Sequence, residues 1–322
     1  MLEDKFGRQF HYLRMSITDV CNFSCDYCLP NGYQRDTKKS FLTVPELNTL
    51  AKAFAGLGTS KIRITGGEPS LRKDLTEIIA LCASTDGIKH VAMTTNAYRL
   101  EKDVQRWFDA GLNSLNISID SFDPHMFMSI TGHDKLGSIL RGIDKALSLG
   151  LKVKINAVLL RQYNGNEMSR FLKWIKDKPL TLRFIELMQT GDNLKFFKQN
   201  HISGEPIKRD LLEQGWGQVI RDKAAGPAEE FNHPEYEGRI GLIMPYSKDF
   251  CASCNRLRIS SVGKLHLCLF AEMGIDLRPY MQQADPAALQ QALVELLSDK
   301  EATHYLKEGY TGATSHLAML GG

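Results

Sequence analysis

Between Tyr12 and Met188 the chain alternates short β-type runs with segments of helical spacing. No other feature constrains the fold as tightly, because this is the pattern of parallel strands joined by crossover helices. Strands are expected near 12–18, 61–65, 89–95, 114–120, 152–159 and 181–187. The helix after the first opens with a capping box, Thr43-x-x-Glu46, and sets Leu47, Leu50, Ala51 and Phe54 on one face. After the second strand, Ser70 is expected to cap a helix whose core face carries Leu75, Ile78, Ile79 and Cys82, with Cys82 serving only to pack. Six β/α units are too few for a closed eight-stranded barrel. That leaves an incomplete, splayed barrel or an open sheet, and both put an active site at the C-terminal ends of the strands. The regularity fails beyond about residue 190, where Gly226-Pro227-Ala228-Glu229-Glu230 reads as surface loop. The expected division is a barrel unit over 1–200 and a smaller unit over 201–322.

Composition narrows the function classes. The chain has 322 residues, 43% hydrophobic and 24% charged, which excludes a disordered or fibrous chain. A formal charge of +3 is too balanced for a general binder of DNA or of a membrane surface, so any anion site must be local. The first seven residues lack the apolar core of a signal peptide, and no later run supplies the ~20 apolar residues of a membrane helix. The expected location is therefore the cytoplasm, where seven cysteines are better read as metal ligands and packing residues than as disulfides.

Six of those cysteines fall in two groups. Cys21, Cys25 and Cys28 form C-x3-C-x2-C on the loop after the first strand. Three thiolates on so short a loop can hold three irons of a cubane iron–sulfur cluster and leave the fourth open for chemistry. A zinc loop with a distant fourth ligand is the alternative. Cys251-x2-Cys254-x13-Cys268 is the second group, and with His266 it could equally make a Cys3His zinc site. Beside it, Arg256 and Arg258 at i, i+2 in an extended segment point the same way and can clamp phosphate oxygens, which favours a second cluster. Arg63, Thr94, Ser118 and Lys154 lie in four different expected strands, and together they favour a polar barrel interior.

The cysteine loop with Tyr27 before its last cysteine, and Gly66-Gly67-Glu68-Pro69 after the second strand, resemble the radical S-adenosylmethionine (SAM) enzymes. The second triad, Asn255-Arg256-Leu257-Arg258 and the terminal Gly321-Gly322 resemble, within them, the GTP 3′,8-cyclases of molybdenum cofactor biosynthesis. The resemblance implies an α/β fold, an incomplete (β/α)6 TIM-type barrel with a C-terminal α+β extension covering its open side. It implies two [4Fe-4S] clusters, one on Cys21, Cys25 and Cys28 and one on Cys251, Cys254 and Cys268. Tyr27, Gly67, Ser118 and Met188 would line the SAM pocket. Arg14, Arg63, Thr94, Lys154, Arg256, Leu257 and Arg258 would bind GTP, with catalytic roles for Arg14, Gly321 and Gly322. The implied reaction, that of a lyase, is radical: a 5′-deoxyadenosyl radical from SAM takes hydrogen from C3′ of GTP, and C3′ then bonds to C8 of the guanine. The resemblance also implies a cellular electron donor and a downstream cyclic pyranopterin monophosphate synthase, and it is compatible with a homodimer. Two other readings compete. One is a radical SAM enzyme with an auxiliary cluster that modifies a peptide, against which the lone auxiliary triad with its arginines weighs. The other is a non-enzymatic metal-binding or iron–sulfur sensor protein.

Overall fold

The computed structural model describes residues 1–34, 36, 40–220, 226–281, 285–314 and 316–320; Gly321 and Gly322 lie outside the described residues. Six parallel strands follow one another in chain order: β1 (Tyr12–Ser16), β2 (Lys61–Thr65), β3 (His90–Thr95), β4 (Ser114–Ser118), β5 (Lys152–Leu159) and β6 (Thr181–Glu186). Every strand expected from the sequence is present within a few residues of its expected bounds. The crossovers carry α1 (Val44–Gly56), α2 (Leu75–Ser84), α3 (Leu100–Asp109), the pair α4 (Pro124–Thr131) and α5 (Leu136–Ser148), and α6 (Met168–Ile175).

The six strands do not close on themselves. In the C-terminal part, β7 (Gly217–Gln218), β8 (Glu229–Asn232), β9 (Arg239–Ile243), β10 (Arg256–Ile259), β11 (Lys264–His266) and β12 (Ile275–Asp276) extend the same sheet from both edges. β9 pairs in parallel with β6, and β10 in parallel with β1. The described residues beyond 200 thus build the two flanks of the splayed barrel. No helix among the described residues is long and apolar enough to cross a membrane.

The strands read with a period of two. Leu13, Met15, Ile62, Ile64, Val91, Met93, Leu115, Ile117, Val153, Ile155, Leu182 and Phe184 all join the main core. Residues of the other parity, among them Arg14, Arg63, Asn116, Asn156 and Arg183, line a central cavity. A parallel sheet with apolar layers on both faces would instead read as unbroken apolar runs. Hydrophobic burial therefore lies between sheet and helices, and the barrel interior is polar. The inward faces of α1 and α2, including Leu50, Phe54, Ile78, Ile79 and Cys82, are buried as their spacing requires. Thr43 and Glu46 form the full capping box, with the Thr43 N–H donating to Glu46 Oε2 at 2.7 Å.

Two local expectations are corrected. Ser70 does not cap α2. It sits in a single 3-10 turn, Pro69–Leu71, where its N–H donates to Glu68 Oε1 at 2.9 Å, and α2 begins only at Leu75. Nor is 226–230 a surface loop: Gly226 and Pro227 line the cavity, Ala228 is buried, and Glu229 opens β8. Its strand character comes from pairing with β9 and leaves little local trace.

The cysteine loop after β1 is fixed by the turn after β2. The Gly67 N–H donates to the Thr18 carbonyl at 2.8 Å and the Glu68 N–H to the Val20 carbonyl at 2.7 Å. A Cβ on Gly67 would lie 2.5 Å from the carbonyl oxygens of both Asp19 and Val20, so two backbones meet where no side chain fits. The buried Glu68 carboxylate also accepts from Thr95 Oγ1 (2.8 Å) and the Asn96 N–H (2.6 Å), tying in the end of β3. Gly67→Ala should therefore lower unfolding stability by roughly 1–3 kcal/mol through overpacking against main chain. It should also reduce the metal that the cysteine loop is expected to hold. Thermal melting and elemental analysis check this, and wild-type values for both would show that the loop gives way freely.

Candidate active site

Strand register stacks cations across the barrel interior. Arg258, Arg14 and Arg63 are partners on adjacent strands β10, β1 and β2, and Arg256, Tyr12 and Lys61 repeat the row one inward position earlier. On the facing wall Lys154 pairs with Asn116, and Arg183 pairs with Asn156. The cavity is lined by seven Lys and Arg side chains and, among the described residues, by no Asp or Glu. Beside it, Glu230 accepts from Arg183 at 2.8 Å and faces Lys154 at 3.8 Å. Arg63 Nη1 donates to Thr94 Oγ1 at 3.4 Å.

This charge is expensive to hold. Burial and the neighbouring Arg258 push Arg14 well below the ordinary arginine range; burial and Arg256 bring Arg258 down to about 10. Burial, then Arg183, bring Lys154 down to about 7, with Glu230 opposing. A cavity so charged and so poor in counter-charge is built for a polyanion.

The two cysteine groups stand at opposite ends of this interior. Cys21, Cys25 and Cys28 follow the C-terminal end of β1, whereas Cys251 and Cys254 precede the N-terminal end of β10, which is parallel to β1. The expectation of a site confined to the C-terminal ends is thus extended: the second triad opens on the same cavity from the other end. Burial pushes the Cys21 thiol up to about 11 and the Cys28 thiol up to about 12. At Cys251 burial acts upward too, but hydrogen bonds from the His304 and Thr303 side chains bring the thiol down to about 7. All six thiols are free and half-buried. Among the described residues no three His, Cys, Asp or Glu side chains converge to hold one metal ion. A cubane distributes its thiolates over separate irons and does not need that convergence.

Around the first triad, the Tyr27 hydroxyl donates to Asp120 Oδ2 at 2.8 Å, just beyond the end of β4 where Ser118 lies, and Asp120 Oδ1 accepts from the Val158 N–H at 2.8 Å. Burial raises the Asp120 carboxyl to about 6. Met188, Tyr27, Cys28 and Cys268 pack against an apolar cluster that includes Leu317 and Leu320 from the chain's last turn. Arg258 Nη1 donates to the Leu320 carbonyl at 3.3 Å.

The expected site residues thus converge, with qualifications. Arg14, Arg63, Lys154, Arg256 and Arg258 share the cavity with the second triad, and Thr94 joins through Arg63. The Leu257 side chain is in the main core, so only its main chain is available to a ligand. Gly67 meets the cysteine loop, and Gly321 and Gly322 are outside the described residues. His266 is not among the residues that line the cavity; it pairs with Arg258 across the strands, its ring lies against Gly274, and the histidine beside Cys251 is His304. His304, Lys61 and Arg183 were not singled out from the sequence. Lys61 and Arg183 carry the same signal as Arg63, a cation alternating with apolar residues in an expected strand, whereas His304 has no spacing signal at all.

Comparison with known proteins gives matches along most of the chain. The profile of the Radical SAM superfamily matches residues 15–175, and that of Molybdenum Cofactor Synthesis C matches residues 180–306. A Tolumonas auensis protein named GTP 3′,8-cyclase is 56% identical, covering 100% of this chain and 96% of its own length. A Yersinia pestis protein of the same name is 53% identical, covering 100% and 99%. Among solved structures, Streptococcus suis SuiB bound to S-adenosylmethionine shares the fold at a TM-score of 0.60 and 14% identity, over 98% of this chain and 72% of that one.

Two outcomes follow from the charged cavity. Arg63→Met should stabilise the ligand-free protein by about 1 kcal/mol, since it removes one buried cation from a like-charged row. It should also weaken binding of inorganic triphosphate by roughly tenfold or more. Denaturant unfolding and calorimetry read the two effects, and a destabilised variant with unchanged affinity would refute the assignment. Lys154, largely neutral about one pH unit above its value near 7, should take up a proton when triphosphate raises that value again. Triphosphate affinity should then fall as pH rises through that range. Calorimetry in two buffers of different ionisation heat should detect the uptake in the wild type and not in Lys154→Met.

Proposed function

The chain belongs to the GTP 3′,8-cyclase family of radical SAM enzymes, and from that membership we propose how its own residues divide the work. The reaction is the cyclisation of GTP to (8S)-3′,8-cyclo-7,8-dihydroguanosine 5′-triphosphate, the first step of molybdenum cofactor biosynthesis. Its cofactors are two [4Fe-4S] clusters, with S-adenosylmethionine as cosubstrate. The observation that carries the substrate assignment is the cavity itself: seven Lys and Arg side chains without a lining carboxylate among the described residues, with the three thiols of Cys251, Cys254 and Cys268 in its wall.

The donor sets suit cubane clusters: Cys21, Cys25 and Cys28 would hold one, and Cys251, Cys254 and Cys268 the other. When bound, the first would supply the electron that cleaves SAM, and the second a site for binding the guanine. The rest is the work of the chain. Tyr27, Gly67, Ser118 and Met188, all beyond or at C-terminal strand ends, would seat SAM, with Tyr27 anchored on Asp120. Arg14, Arg256 and Arg258 on one wall, with Lys61, Arg63, Lys154 and Arg183 on the others, would take the triphosphate, and Thr94 would orient Arg63. The GTP ribose then lies between the two ends, which is where hydrogen abstraction from C3′ requires it. Apolar packing of the last turn against Met188 and Cys28 excludes water from a reactive primary radical. Arg258 holds the Leu320 carbonyl, and a role in placing GTP is proposed for Gly321 and Gly322. A cellular electron donor, transfer of the product to cyclic pyranopterin monophosphate synthase, and a cytoplasmic setting complete the proposal.

Anaerobic reconstitution followed by incubation with GTP, SAM and dithionite should yield the cyclised nucleotide and 5′-deoxyadenosine by mass spectrometry. Replacing Cys21, Cys25 and Cys28 by alanine should abolish 5′-deoxyadenosine and leave the second cluster in place. Removing Gly321 and Gly322 should keep both clusters and GTP binding while reducing cyclisation at least tenfold. Zinc without iron at the second triad, or a truncated chain of full activity, would contradict the corresponding assignment.

A further inference from the structure

We propose that Arg8 is the positioning residue of the second cysteine triad, acting from the opposite end of the chain. It lies in a tight N-terminal turn built on Asp4, whose Oδ1 accepts the N–H groups of Phe6 and Arg8, each at 3.0 Å. Asp4 Oδ2 accepts from Arg8 Nε at 2.6 Å, and both residues are buried. That pairing aims the rest of the guanidinium outward from the turn. Nη1 donates to the carbonyls of Ala302 (2.7 Å) and Cys251 (3.3 Å), and Nη2 to that of Glu301 (2.7 Å).

These acceptors are main-chain groups on the two segments that flank the triad. The Cys251 carbonyl also accepts the Cys254 N–H at 3.1 Å, closing the turn that brings the first two thiols together. Glu301 and Ala302 lead directly into Thr303 and His304, which bear on the Cys251 thiol. One planar cation therefore joins the Cys251–Cys254 turn to the segment carrying His304. Only a guanidinium has the fork to reach Asp4 and three carbonyls at once; the point charge of a lysine does not. A buried arginine this fully engaged, 243 residues from Cys251 in sequence, sets the geometry of the ligand loop, and the paired Asp4 offsets its burial.

The inference rests on reading Cys251, Cys254 and Cys268 as cluster ligands, and the test separates the two. Full-length wild type, Arg8→Gln and Arg8→Lys are reconstituted anaerobically. Iron and zinc per chain, the electron paramagnetic resonance spectrum of each reduced cluster, and the melting of the metal-free protein are then measured. Arg8→Gln should fall from about eight irons per chain to about four, losing the second-cluster signal and keeping that of the first. Arg8→Lys should fail in the same way despite its charge. Full iron with an unchanged second-cluster spectrum in Arg8→Gln overturns the proposal. So does parallel loss of both clusters with a lowered melting point, which would make Arg8 a general brace. Zinc at the second triad of the wild type would overturn the cluster reading instead, and loss or retention of that zinc in Arg8→Gln would then decide for or against Arg8.

Discussion

Everything in this structure answers to the burial of like charge inside the barrel. Adjacent strands bring Arg258, Arg14 and Arg63 into one register row, and Arg256 and Lys61 into the next. Strands lie about 4.8 Å apart. Like charges held on neighbouring strands repel, and their burial strengthens the repulsion. The protein carries this load because its apolar stabilisation is built elsewhere, between the sheet's outer face and the helices. Period-two strands make that separation possible: one parity is given to the core and the other to the cavity.

The same economy of backbone places the two groups of cysteines. Gly66 and Gly67 let the turn after β2 close on the cysteine loop after β1, and Glu68 extends the tie to β3. At the other end, the second triad is held by contacts from residues distant in sequence: Arg8 on the Cys251 carbonyl, and Lys300 on the Leu267 carbonyl. The last turn, Leu317–Leu320, packs against Cys28 and Cys268 alike and meets Arg258. Both cysteine groups and the cavity's Arg258 therefore meet at one small apolar cluster.

How much of this could be read from the chain depended on how local each signal was. The six barrel strands, the Thr43–Glu46 box and the core faces of α1 and α2 follow from periodicity and capping, which operate over a few residues. The cysteine groups were visible by spacing, as was the pairing of Arg256 with Arg258. Ser70 misled because its own N–H is taken by Glu68, so that Pro69 starts a short turn and α2 begins later. The 226–230 stretch misled because β8 gains its form from β9. His304 and Arg8 left no trace, since their partners near Cys251 lie far away in sequence. His266 looked like a ligand by spacing, but it pairs with Arg258 across β10 and β11 and packs its ring against Gly274, and it is not among the residues that line the cavity with Cys268.

The central claim is that this cation-lined cavity holds GTP with its ribose between the two metal sites, so that C3′ is the atom presented to the radical from SAM. Reaction of the reconstituted enzyme with GTP carrying deuterium at C3′ tests it most directly. The account predicts deuterium in the 5′-deoxyadenosine recovered by mass spectrometry and its loss from the cyclised nucleotide. Unlabelled 5′-deoxyadenosine, with the deuterium retained in the nucleotide product, would contradict it.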